Sequence, residues 1–221
     1  MNYLGINYNC LSDEIIEALS KTLRGRLECM NIKVYKNDPH FHTVNRNSWY
    51  LLRRKCPKLK VTVWFESIGH ASDIVPILVK ELPLKDLHIW TGYDDELEWR
   101  LASTIDHIAA SFNSTLKSLS LELDNNHELV DDNLLRLLQR CKNLQHLTLN
   151  AIIVVGTVRD ICLLQSEKKI NLKSMHLTAC GLSEAEWITM CHFRDEFSDM
   201  IKQQNLDFRF STDLLVDLDA M

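Results

Sequence analysis

A phrase of spaced leucines returns at near-constant intervals along this chain, and no other feature restricts its fold so strongly. Near the start, YLGINYNCL places Leu4, Ile6, Asn9 and Leu11 in the order L-x-L-x-x-N-x-L. Near the end, LKSMHLTACGL carries Leu172, Met175, Leu177, Cys180 and Leu182 as L-x-x-L-x-L-x-x-C-x-L. Between them stand PLKDLHIW (Leu84, Leu87, Ile89), TLKSLSLEL (Leu116, Leu119, Leu121) and NLQHLTLN (Leu144, Leu147, Leu149). LECMNI and LKVTV are weaker copies. The strand cores begin at Leu4, Met30, Val61, Leu87, Leu119, Leu147 and Met175, so the steps are 26, 31, 26, 32, 28 and 28 residues, with a mean of (175 − 4)/6 = 28.5. A period of roughly 20–50 residues marks stacked supersecondary units, each of which buries its apolar face only against its neighbours.

The phrase is that of a leucine-rich repeat, and its length leaves room for a full helix beside each strand. Between the strand cores the apolar period changes from two to about 3.6. Ser12 to Leu23 opens with a Ser/Asp cap and repeats Ile15, Ile16, Leu19 and Leu23. Asp131 to Cys141 has acids in the first turn and then Leu134, Leu135, Leu137 and Leu138. A longer helix is predicted over Asp95 to Phe112, another over Ser72 to Leu82 with Pro76 in its first turn, and a last one from Ser183 to about Gln203. Lys36 to Ser48 is predicted as a loop, with Trp49-Tyr50-Leu51-Leu52 starting the helix after it. The expected fold is α/β: a leucine-rich-repeat solenoid, or horseshoe, of about seven strand–helix units. Its parallel sheet is concave and its helices convex. Residues 1–204 form the repeat domain, and 205–221 supply a capping strand at Phe208-Arg209-Phe210 and an acidic tail.

Composition removes several function classes. A net charge of −5 and a pI near 6.0 argue against nucleic acid as a partner, which usually needs a basic surface. No apolar run reaches the roughly 18 residues of a membrane span, and no basic-then-apolar leader opens the chain. The seven cysteines lack C-x-x-C and zinc-like spacing. Cys10 and Cys180 fall at the repeat's N/C position, where a buried thiol is expected to donate to backbone carbonyls. Cys56 and Cys141 fall at helix ends. Reduced thiols used as small fillers fit a cytoplasmic or nuclear protein.

Catalytic motifs are missing. G-x-S-x-G, G-x-G-x-x-G and the P-loop do not occur, and six glycines leave little material for phosphate cradles. Asp94-Asp95-Glu96 and Asp131-Asp132 read as helix-start charges. His40-Phe41-His42 beside Asp38 has a spacing seen in metal sites but no third ligand at a fixed offset, so it reads as a solvated loop. No enzyme, catalytic residue, metal or cofactor is expected.

The register instead collects residues into columns on the concave face. The position after each strand core yields Trp64, Trp90, Glu122, Asn150 and Thr178, so Trp64 and Trp90 are expected to be neighbours in one aromatic platform. A second column holds Lys60 or Thr62, then His88, Ser120, Thr148 and His176, and His146 shares the face. Aromatic anchors of this kind are enriched at interface hot spots. The expected partner-binding set is Trp64, Trp90, His88, Glu122, His146, Thr148, Asn150 and His176.

The phrases RCKNLQHLTLN (Arg140 to Asn150), KCPKLKVTV (Lys55 to Val63) and NLKSMHLTACGLSEAEW (Asn171 to Trp187) resemble the C-x-x-L-x-x-L-x-L entry of F-box/leucine-rich-repeat proteins. The resemblance covers nearly the whole chain. It implies a horseshoe that captures a protein substrate for a cullin-RING ubiquitin ligase, to which an F-box is joined by the Skp1 adaptor. Leu11 to Ile16 echoes the L-P-x-E-I-L opening of an F-box, but proline is absent and the same residues fit the repeat register. No F-box is therefore expected in this chain, which would meet Skp1 only through one elsewhere. A free-standing scaffold or inhibitor horseshoe is the alternative.

Overall fold

In the computed structural model, which describes residues 2–38, 42–92, 100–126 and 128–212, eight strands form one sheet in the order of the sequence. They are β1 Tyr3–Asn7, β2 Cys29–Tyr35, β3 Lys60–Glu66, β4 Leu84–Trp90, β5 Ser118–Glu122, β6 His146–Ile152, β7 Ser174–Cys180 and β8 Asp207–Thr212. Every neighbouring pair is parallel. The helices are α1 Asp13–Thr22, α2 Arg46–Lys55, α3 Ala71–Ile74, α4 Leu101–Ser111, α5 Asp131–Arg140, α6 Val155–Ser166, α7 Glu184–Glu196 and α8 Ser198–Gln203. This is the leucine-rich-repeat solenoid that the period demands, with the tail phrase supplying an eighth strand.

Alternation with period two sorts each strand's residues between two faces. Ile32, Val63, Leu87, Leu119, Leu147 and Met175 form one buried row, and Val34, Phe65, Ile89, Leu121, Leu149 and Leu177 form the next. These rows meet the buried stripes of the helices, among them Ile16, Trp49 and Leu52, Ile105 and Ile108, and Leu134, Leu137 and Leu138. The other parity faces away from the helices and forms an open, polar sheet face.

Helix starts are satisfied across unit boundaries. Ser12 caps α1 by accepting from the Ile15 N–H, while Asp13 in the first turn of α1 accepts from the Asn45 N–H at 2.8 Å and the Ser48 hydroxyl at 2.6 Å at the start of α2. Asp131 does the same for α6, accepting from the Val154 N–H at 2.9 Å and the Thr157 hydroxyl at 2.6 Å. Asp131 is therefore a helix-start charge, as read, and also the cap of the next helix. The start of α4 has no side-chain cap of its own, and Glu128 of the following unit accepts from the N–H groups of Leu101 (2.7 Å) and Ala102 (3.0 Å). Each bond from a backbone N–H relieves one of the orphan donors of a helix N-terminus, and the Ser48 and Thr157 hydroxyl bonds add a side-chain tie to the same carboxylates.

Several local expectations change. The helix predicted over Ser72–Leu82 shrinks to the four residues of α3, because Pro76 supplies no N–H and Ile77 and Val79 donate instead to Ile74 and Ile77 in tight turns. Of the helix expected over Asp95 to Phe112, residues 95–99 lie outside the described residues, and α4 runs from Leu101 behind Arg100, whose φ of 52° is outside the right-handed helical region. Asp94-Asp95-Glu96, His40, Phe41 and the acidic tail 213–221 lie outside the described residues. The loop predicted to Ser48 ends earlier: α2 opens at Arg46 behind Asn45, and Val44 before it is buried. The last helix divides at Phe197. Cys10 and Cys180 are not buried as expected, and their thiols donate to the side chains of Asn9 (3.3 Å) and Asn150 (2.9 Å). Cys56 and Cys141 do close α2 and α5.

Candidate protein-binding face

Strand pairing fixes the rows of the open face. The central row runs Lys33, Trp64, His88, Ser120, Thr148, His176 and Arg209. The row nearer the strand C-termini runs Tyr35, Glu66, Trp90, Glu122, Asn150, Thr178 and Ser211. A third, on the opposite side, includes Thr62, Asp86, Ser118, His146, Ser174 and Asp207.

This arrangement corrects the expected tryptophan pair. Trp64 lies opposite His88, and Trp90 lies between Glu66 and Glu122. The observed register of β3 on β4 differs from the expected one: Val61 pairs with Leu84 and, after a one-residue irregularity at Lys85, Thr62 pairs with Asp86, so Val63, not Val61, is the partner of Leu87. The step between the third and fourth units is thus 87 − 63 = 24 residues instead of 26. A slip of two preserves every side chain's face, so the apolar pattern alone does not register it. The column of His88, Ser120, Thr148 and His176 stands, with Trp64 in place of Lys60 or Thr62.

Trp64 is 41% exposed, and its ring stacks on His88 with centroids 4.3 Å apart and planes 13° from parallel. Burial pushes the His88 imidazole below its ordinary value of 6.5, against the opposing pull of Asp86 and Glu122. A neutral imidazole lying flat on an indole extends one aromatic surface across two strands. The other histidines are apart from it. His176 makes a 3.0 Å contact with the Asp207 carboxylate, and His146 Nδ1 lies 2.9 Å from the Ser174 hydroxyl. His176 and Arg209 together hold the Asp207 carboxyl below its usual range.

At the strand C-termini the face is held by side chains that the leucine pattern does not mark. Thr91 is buried and accepts from the Asp124 N–H at 2.8 Å. Asn125, 4% exposed, donates to the carbonyls of Ile152 (2.8 Å) and Glu128 (3.0 Å) and accepts from the Ile152 N–H (2.8 Å). An asparagine one step past the repeat's polar position was the available signal. Among the described residues, no group of three His, Cys, Asp or Glu side chains is placed to hold a metal ion, and no helix is long and apolar enough to cross a membrane.

A parallel solenoid with a polar sheet face that carries no helix among the described residues, and with an exposed aromatic stack on it, defines a repeat scaffold of the leucine-rich class. The chain is similar to F-box/LRR-repeat protein 21 of Ovis aries, at 27% identity over 150 residues, which cover 66% of this chain and 32% of the relative. The Mus musculus protein of the same name is 26% identical over 151 residues, and that of Bos taurus 25% over 150, with the same coverage. The chain thus spans about a third of the length of the curated relatives it matches. No protein-family profile matches it. The resemblance to F-box/leucine-rich-repeat proteins carried by the Cys-x-x-Leu phrases therefore extends to overall sequence similarity.

Proposed function

We propose that this chain is a non-catalytic protein-binding module, the substrate-recruiting repeat region of an F-box/leucine-rich-repeat adaptor for a Skp1–cullin–F-box ubiquitin ligase in the cytoplasm or nucleus. The observation that carries the binding role is the Trp64–His88 stack standing exposed at the centre of the open face. A large rigid aromatic surface flanked in its row by Lys33 and Ser120, with Thr62 and Asp86 in the row beside it, has the composition of an interface hot spot with a polar rim. Similarity to F-box/LRR-repeat protein 21 supports the ligase assignment. Trp90, Glu122, Asn150, His146 and His176 complete the capture surface, and Skp1 is met through an F-box outside the repeats.

Two measurements test this. Skp1 is co-purified with the longest natural form of the protein, and retention at stoichiometric yield is expected; no retention sinks the ligase assignment. Proximity labelling from the repeat chain is then compared with Trp64→Ala. The variant should keep the parent circular dichroism spectrum and lose the labelled partner. A partner retained in full refutes the assigned face.

A further inference from the structure

Where β4 to β7 end, the open face deepens into a cavity of about 330 Å³ lined by Trp90, Glu122, Asp124, Asn150, Thr178 and Gly181, among others. That volume stands at the small end of the roughly 300–1,000 Å³ of ligand sites, so it suits one long side chain rather than an extended ligand. Among the described residues, no lysine, arginine or histidine lines it. Its aromatic wall, Trp90, has a glutamate as strand neighbour on either side, Glu66 on β3 and Glu122 on β5. Among the described residues no cation reaches the carboxylate of Glu122 or of Asp124, whose Oδ1 accepts only a neutral 2.7 Å bond from the Asn126 amide.

The walls are also set in advance. The Thr91 hydroxyl holds the Asp124 N–H, Asn125 ties the neighbouring loop to Ile152, and Cys180 donates to Asn150 on the far side. Gly92 and Gly181 leave their strands with φ 74° and 70°, a conformation that glycine adopts without a Cβ penalty. A preformed site loses less ordering entropy on binding. An anion entering here meets two carboxylates. An apolar group would desolvate them without replacing their hydrogen bonds. A planar cation satisfies both features, because a guanidinium stacks on an indole face while its edge N–H groups donate to carboxylates.

We propose that this cavity receives an arginine side chain of the partner protein, its guanidinium stacked on Trp90 and donating to Glu122 and Asp124. This rests on the reading that the open face binds a protein, and it adds the chemistry of one contact: the captured segment carries an accessible arginine.

The test titrates the full, ¹⁵N-labelled chain with N-acetyl-arginine methylamide and, separately, with the citrulline and lysine counterparts, while amide and indole shifts are followed. Arginine should give saturable shifts centred on the Trp90 indole N–H and the Gly181 amide. The neutral citrulline isostere should bind about tenfold more weakly or not at all, and lysine more weakly than arginine. Glu122→Gln, an isosteric change at an exposed position, should weaken arginine binding about fivefold or more and lower its salt dependence. Absent shifts at Trp90, citrulline equal to arginine, lysine tighter than arginine, or an unaffected Glu122→Gln would each overturn the proposal. If Trp64→Ala abolishes partner labelling while arginine fails to bind, this assignment falls and the protein-binding reading survives. If arginine binds as described but no partner depends on the open face, the protein-binding reading is the one that fails.

Discussion

Replacing Asn125 by alanine should cost this protein about 3 kcal/mol. The buried amide closes three bonds: its Nδ2 donates to the Ile152 and Glu128 carbonyls, and its Oδ1 accepts from the Ile152 N–H. A hydrogen bond of this kind contributes about 0.5–1.5 kcal/mol net, and buried partners left unmade cost more than that average. Three bonds therefore bracket roughly 1.5–4.5 kcal/mol. For a chain of this size each kcal/mol moves the melting temperature by about 2–4 °C, so a fall of about 6–12 °C is expected. Urea unfolding followed by far-ultraviolet circular dichroism measures the cost directly, provided the slope with denaturant is unchanged. Asn125→Asp separates hydrogen bonding from packing. An ionised carboxylate keeps the acceptor for the Ile152 N–H but turns two former donations into oxygen–oxygen contacts. It should be at least as destabilising as alanine at pH 7 and should recover as the pH falls and the carboxyl regains a proton to donate. A cost under about 1 kcal/mol for alanine, or an aspartate variant as stable as the parent at pH 7, would refute the account of how β5 is tied to β6.

Asp131→Ala removes the cap that α5 lends to α6, and a loss of about 1–2 kcal/mol in the same urea assay is expected; a neutral result would mean that the Val154 N–H finds water instead. His88 is neutral at pH 7 and its proton affinity is lowered on folding, so the unfolded chain binds the proton more readily. Its contribution to stability is present above about pH 6.5 and is lost as the pH falls through that value toward its folded pKa. Trp64 fluorescence, taken as the difference from His88→Gln, should be quenched on acidification with a midpoint below 6.5; a midpoint above it would refute the burial effect. Cys10 and Cys191 are exposed and should alkylate at once with a soluble maleimide. Cys141 and Cys162, whose thiols burial pushes up to about 11 and about 12, should react only as the chain unfolds. Fast labelling of Cys162 in the native protein would contradict its place in the core.

The aromatic stack shows how a horseshoe of this kind assembles a binding surface. Trp64 and His88 stand 24 residues apart in sequence and belong to different units, yet they become neighbours because each strand is hydrogen-bonded to the next. The same holds for Trp90 and Glu122, whose side chains share the cavity at the strand ends. Recognition residues on such a face are spread one or two per unit. Changing one of them leaves the apolar rows beneath untouched, which is why Trp64→Ala and Glu122→Gln are informative substitutions.

Repetition in the chain determined the architecture by itself. The spacing of Leu87, Leu119, Leu147 and Met175 demanded parallel strands in sequential order, and alternation placed His88, Ser120, Thr148 and His176 on a common face. These outcomes depend on nearest-neighbour burial, which a periodic apolar pattern encodes directly. Only the tertiary structure decided which residues on that face touch. The pairing of β3 with β4 stands two residues from the step that the apolar phrases predict, and a two-residue difference is invisible to a pattern whose own period is two. It parts Trp64 from Trp90, sets Trp64 on His88, and leaves Trp90 between two glutamates. The caps supplied by Asp13, Glu128 and Asp131 were equally out of reach, because each acts on a helix in a neighbouring unit and carries no local mark of its target. Period fixes which face a side chain takes; register, set by hydrogen bonds between units, fixes its neighbour.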